Sequence, residues 1–182
     1  MRTYYSPAHL DHAPEQEFEG GRLTPAVEVP ERAERVRARI EDRKLGPILP
    51  PAEFGNAPLV RIHDADFIAF LTQAHDEWIK RYGARAGAAI PSAWPARGLR
   101  TQLHGHIEAR LGSYTFDTAT PILKGTCEAS RSAANVALSA ARAIHQGEQA
   151  AFALTRPPGH HASTDLYGGY CYLHNVAIAA QW

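Results

Sequence analysis

The chain has 182 residues, enough for one domain with a sizeable core. Its 19 Lys and Arg balance 19 Asp and Glu, and this formal net charge of +0 removes any global electrostatic case for nucleic acid or an anionic membrane as partner. Hydrophobic residues make up 45%, as in ordinary globular proteins, yet no apolar run is long enough to span a bilayer.

Arg2 to Tyr5 reads as a short strand ended by Ser6-Pro7. Residues 8 to 29, of mixed charge and with Gly20-Gly21, read as a long loop. Pro30 opens a helix at a position where its missing N–H costs nothing. Ala33, Val36 and Ile40 form the apolar stripe of that helix, Glu31 and Arg35 an i,i+4 pair, and Gly46-Pro47 ends it. Leu59-Val60-Arg61-Ile62 alternates like a short strand. Asp64 is placed to cap a second helix, on which Phe67, Leu71, Ala74 and Trp78 follow helical spacing as a core stripe.

Residues 83 to 120 are the least regular part, and a loop of this length inside a domain is usually functional or disordered. If extended, His104-Gly105-His106-Ile107-Glu108 presents His104, His106 and Glu108 on one side. Fixed metal sites need further ligands and supporting partners, so no metal site is assigned from that spacing. Gly125 to Gln146 is the clearest helix, with Thr126, Ala129, Ala133, Val136, Ala137, Ala140 and Ile144 on one face and Gly147 as its cap. Ala150 to Leu154 reads as a buried strand. A last helix begins within 171–182, with Val176, Ala179 and Ala180 on its apolar face. Alternating strand and helix patterns argue for an α/β fold with a parallel sheet flanked by helices. Cys127 and Cys171 lack a Cys-x-x-Cys pattern and Met1 to Tyr5 is no signal peptide, which together predict reduced thiols in a cytoplasmic protein.

The densest stretch is Arg156-Pro157-Pro158-Gly159-His160-His161-Ala162, followed by Gly168-Gly169-Tyr170-Cys171-Tyr172 and Asn175. Pro157 and Pro158 stiffen the chain, and Gly159 admits a backbone conformation closed to other residues. Neighbouring residues of a strand or helix diverge, so only an irregular loop lets His160 and His161 face one cavity. Open α/β sheets place their sites in loops of this kind, just past a strand's C-terminal end. Two imidazoles in one cavity oppose double protonation, so one can take a proton from water while the other returns one to a leaving amine.

These two motifs together resemble the signature of the zinc-dependent histone deacetylase superfamily, and Gly168-Gly169-Tyr170 with the region before it most resembles the acetylpolyamine amidohydrolase branch. The similarity extends back to Met1. It implies an arginase/deacetylase-like fold, with 1–182 as the N-terminal part of a deacetylase domain carrying an insertion over about 83–120. It implies an enzyme, a Zn2+-dependent amidohydrolase that removes acetyl groups from small cationic acetylated amines, with no nucleic-acid or membrane partner. By the same resemblance His161 is the general base and His160 its electrostatic partner. Gly169 and Tyr170 line the substrate tunnel, and Glu108 meets the distal amine. Arg32 lines a channel for the released acid, and His63-Asp64 fixes the fold. The insertion narrows the site and joins two subunits, which implies a homodimer. The family's zinc ligands, an Asp-x-His motif and a later aspartate, have no counterpart before Trp182. The 182 residues alone are therefore expected to be inactive, and the alternative is a non-catalytic fragment or amine-binding module of the same fold.

Overall fold

At the centre of the computed structural model, which describes residues 1–96 and 105–182, three short strands run parallel in the order β4-β1-β5. Strand β1 (Arg2–Tyr4) pairs with β4 (Ile48–Leu49) on one side and β5 (Ala151–Ala153) on the other. Side chains alternate across the sheet. Tyr4, Ala151 and Ala153 pack on helix α4 (Thr126–His145) through Val136, Ala140 and Ala143. Phe152 faces the other way, toward Val36 and Ile40 of helix α1 (Glu31–Asp42). The sheet is thus flanked by helices, an α/β arrangement.

The alanines of α4 allow it to lie close to the sheet while its other side enters a second core. There Leu138 meets Phe67 and Phe70 of α2 (Ala65–Tyr82), Leu111 of α3 (Ile107–Ser113), Tyr167, and Ile178 of α5 (Asn175–Gln181). Burying a large side chain of this kind is worth about 1.5–3 kcal/mol, so this aromatic cluster is a principal source of stability. Both long helices end as their sequences demand, α2 at Gly83 and α4 just before Gly147, two glycines with positive φ.

Several local readings are corrected. Residues 8–29 are not one loop. A 3₁₀ turn covers Pro7–Asp11, and strands β2 (Gln16–Glu19) and β3 (Arg22–Pro25) form an antiparallel hairpin around Gly20-Gly21, whose φ values of 58° and 79° suit a two-residue turn. Residues Leu59–Arg61 form a 3₁₀ turn, not a strand, because only Leu59 has a core to enter and four residues cannot separate the two patterns. Within 83–120, Ile107 and Leu111 anchor α3 on α2 at i,i+4 spacing, so Glu108 lies on a helix and His106 caps it. An extended run bearing both does not exist, and His104 lies outside the described residues. Asp64 occupies the cap position of α2 without a side-chain capping bond. The described ion pairs on α1 do not include Glu31–Arg35: Arg37 pairs with Glu34 at 2.9 Å and Glu41 at 2.8 Å, and Arg39 with Asp42 at 2.8 Å. Ile144 is exposed. Helix α5 buries Ile178 and turns Val176 to solvent, the reverse of the predicted face.

Candidate active site

Strand β5 delivers the chain to the site. Leu154 N–H still bonds Tyr4 O at 3.0 Å, after which residues 155–174 run without a helix or strand. Such a loop needs partners for its polar groups, and Arg156 is its anchor. The guanidinium is 4% exposed. It donates from Nε to Glu28 Oε1 at 3.1 Å and from Nη1 to His9 O at 2.7 Å, and it pairs with Glu28 Oε2 at 3.0 Å. Burial pushes the Glu28 carboxyl up and Arg156 opposes it. The far end of the loop is tied by Asn175 Nδ2, which donates to Pro157 O at 3.2 Å. His63, 2% exposed, accepts from His174 N–H at 2.9 Å through Nε2 and so donates from Nδ1 to Thr164 O at 3.3 Å. Burial holds its pKa below the usual value. His63 is therefore a structural clasp at the start of α5.

Gly159 is required by close approach rather than by an unusual φ. A methyl group there would fall 2.4 Å from Leu173 O. The pinned loop presents His160 and His161 to a cavity of about 400 Å³, with ring centroids 4.2 Å apart and planes at 47°. Both rings are exposed, and neither has a hydrogen-bond partner among the described residues. An exposed pair at this distance can exchange protons with water or a ligand in the cavity.

Gly169 and Tyr170 line the same cavity, as does Arg32. Gly169 has φ +56° and packs on the imidazole of His161, where a Cβ would lie 2.5 Å from Cδ2. No other residue fits both demands. Tyr170 is half-buried, and its hydroxyl donates to Glu17 Oε1 at 3.0 Å. Burial first, then the Glu17 carboxylate, pushes that phenol up to about 12, so it stays protonated as a donor. Glu17 itself is 1% exposed.

Glu108 stands apart. Its carboxylate accepts from Tyr82 Oη and lies 3.7 Å from Arg81 Nε, and it does not line the cavity of its own chain. The Tyr82 bond is the main reason its pKa is lowered. Among the described residues no three His, Cys, Asp or Glu side chains gather where they could hold a metal ion. The zinc implied by the sequence resemblance therefore has no fitting ligand set here. No described helix is long and apolar enough to cross a membrane.

Sequence reasoning missed Arg156 as an anchor, and it missed Glu28 and Glu17 entirely. A signal existed only for the first, an arginine fixed before a Pro-Pro stop.

The histone deacetylase domain model matches residues 26–182. Over its whole length the chain is 43% identical to acetylpolyamine amidohydrolase 2 of Pseudomonas aeruginosa and 38% identical to the acetylpolyamine amidohydrolase of Mycoplana ramosa, covering 52% of each. The crystal structure of an acetylpolyamine aminohydrolase from Burkholderia pseudomallei superposes with a TM-score of 0.90 at 36% identity, over 100% of this chain and 52% of that one. The chain spans about half the length of the relatives it matches.

Proposed function

Because the chain belongs to the histone deacetylase family, we propose that it is the N-terminal part of a zinc-dependent amidohydrolase that removes acetyl groups from acetylated amines, with acetylpolyamines as the substrate class. The observation that carries this reading is the convergence of His160, His161, Gly169 and Tyr170 on one cavity, in a chain 43% identical to an acetylpolyamine amidohydrolase along its whole length. Zinc, when bound, would polarise the acetyl carbonyl and activate a water, and its ligands would come from residues other than those described. The roles left to this chain are proton handling and substrate alignment. His161 takes the proton of the attacking water and, as imidazolium, returns it to the leaving amine, while His160, with its ring centroid 4.2 Å away, is its electrostatic partner. Gly169 lets the substrate chain pass close to backbone, and the ring of Tyr170 supplies an apolar wall for its methylenes.

Glu108 enters this reading across a dimer. It does not line the cavity of its own chain, so in this reading the distal ammonium is met by the 83–120 insertion of a second subunit. The compartment that fits is the cytoplasm. On the polypeptide extended to the length of its relatives, His161→Ala should lower turnover of an acetylated polyamine on the order of a hundredfold or more with zinc content unchanged. Near-normal turnover would refute the general base. Glu108→Gln should weaken turnover of acetylpolyamines more than that of a small neutral acetamide, and equal losses would remove Glu108 from recognition. Purified 1–182 should show no hydrolysis. One tightly held zinc per chain with activity abolished by a chelator would overturn the assignment of the chain as the N-terminal part.

A further inference from the structure

The cavity wall facing His161 is held from outside the catalytic loop. Two successive residues of that wall are left-handed, Gly169 at φ +56° and Tyr170 at φ +64°. For Tyr170 this conformation is unfavourable and persists only when its surroundings over-determine it. Both amides of the turn are taken by the segment that follows α3. Gly169 N–H donates to Asp117 Oδ2 at 2.5 Å, and Tyr170 N–H donates to Thr120 Oγ1 at 2.9 Å. The Thr120 hydroxyl donates to the same Asp117 oxygen at 3.1 Å, which closes the circuit. The consequence reaches the imidazole directly, because Gly169 lies in van der Waals contact with the His161 ring.

We propose that Asp117 is a positioning residue of the active site, acting with Thr120 to hold Gly169 and Tyr170 against His161. The role in a hydrolytic reaction rests on the amidohydrolase reading, whereas the positioning of the wall does not. Asp117 touches neither the cavity nor the histidines. It acts through the backbone of the turn, and it ties the insertion to the catalytic loop across 52 residues of sequence. The carboxylate matters here as an acceptor and not as a charge. An asparagine amide oxygen can take both the Gly169 N–H and the Thr120 hydroxyl, while an alanine can take neither.

The test is made on isotopically labelled 1–182 by NMR, without reading turnover, so a failure of the amidohydrolase assignment would appear separately in the assay above. In Asp117→Ala, Gly169 amide exchange should accelerate on the order of tenfold or more. The His161 Cδ2–H signal should shift, while that of His75 on α2 stays in place. Asp117→Asn should return both signals to the native values, which a loss of charge alone could not do. Thr120→Val should free the Tyr170 amide first, and this variant decides the matter if Asp117→Ala does not fold. Unchanged Gly169 exchange in Asp117→Ala, an unmoved His161 signal once that amide is freed, an asparagine variant that behaves like the alanine one, or a Tyr170 amide indifferent to Thr120→Val would each overturn the proposal.

Discussion

The two ends of α5 meet different surroundings. Its start is locked. His174 N–H reaches His63, Asn175 reaches Pro157, and the loop before it is pinned by Arg156. Its exit carries Ala180, Gln181 and Trp182 at the surface. The sheet shows the same contrast. The α4 face is sealed by Tyr4, Val136, Ala140 and Ala143. The opposite face keeps an open apolar groove of about 520 Å³ between Met1, Val36, Ile40, Leu45 and Phe152. The locked side is where polar groups have been taken out of water and given partners, and it is the side that builds the cavity. The open side contributes apolar surface, and its helix α1 reaches the cavity only through one flank, at Arg32, Ala33 and Val36. Precision in this molecule therefore comes from buried polar pairing, and changes on the locked side should be the costly ones.

The largest effect is expected at Arg156. Arg156→Met leaves Glu28 buried without its cation and should destabilise the chain by about 3–5 kcal/mol. Chemical denaturation measures this, and the double change Arg156→Met with Glu28→Met should recover much of the loss, because the stranded charge is gone. A double variant no better than the single one would mean that the hydrogen bond to His9 O, not the ion pair, carries the anchor.

The site was legible only where its residues are close in sequence. His160, His161, Gly169 and Tyr170 lie within eleven positions, and their motif is specific enough to find them. Arg156 with Glu28 spans 128 positions, Tyr170 with Glu17 spans 153, and no local pattern announces either pairing. The fold divides along the same line. Helix α4 was readable because its buried residues recur at helical spacing over twenty positions. The β2–β3 hairpin was not, because it turns Phe18 and Leu23 outward and Glu17 inward, which reverses the usual polarity of a strand. Helix α5 is apolar nearly all round, so periodicity could not say which face the core would take. That choice is made by helix α4 and the Leu59–Arg61 turn, the elements on which α5 packs.

Acid should act next, and again through the locked side. His12 is 2% exposed, bonded from Nδ1 to Thr126 Oγ1 at 2.9 Å and packed edge-on to Tyr172. Burial first, then the Arg156 and His9 charges, pull its pKa down from 6.5 to about 3. Burial also lowers His63. A folded-state value below the unfolded one means that the unfolded chain binds the proton first. The stability these groups contribute is complete above about pH 6.5 and declines as pH falls toward 3. Thermal midpoints across that range should fall steadily, and His12→Gln should flatten the slope. An unchanged slope would assign the acid sensitivity to other groups, beginning with Glu34, which its bond from the Tyr5 hydroxyl, then its Arg37 and His9 partners, hold down at about 2.

The smallest effect separates the two faces of α5 within one turn of helix. Ile178 is fully buried at 0% exposed, so Ile178→Val removes one methylene from a packed core and should cost about 0.5–1.5 kcal/mol. Val176 is 68% exposed and leaves little apolar contact behind when shortened, so Val176→Ala should lie within about 0.5 kcal/mol of the native value. Alanine's better helix propensity makes a slight gain the expected sign. Paired denaturation curves of the two variants decide the comparison. A Val176→Ala loss as large as that of Ile178→Val would show that the outer face of α5 is covered in solution. Concentration-dependent stability in the native chain, abolished in the variant, would identify a second copy of the chain as the cover.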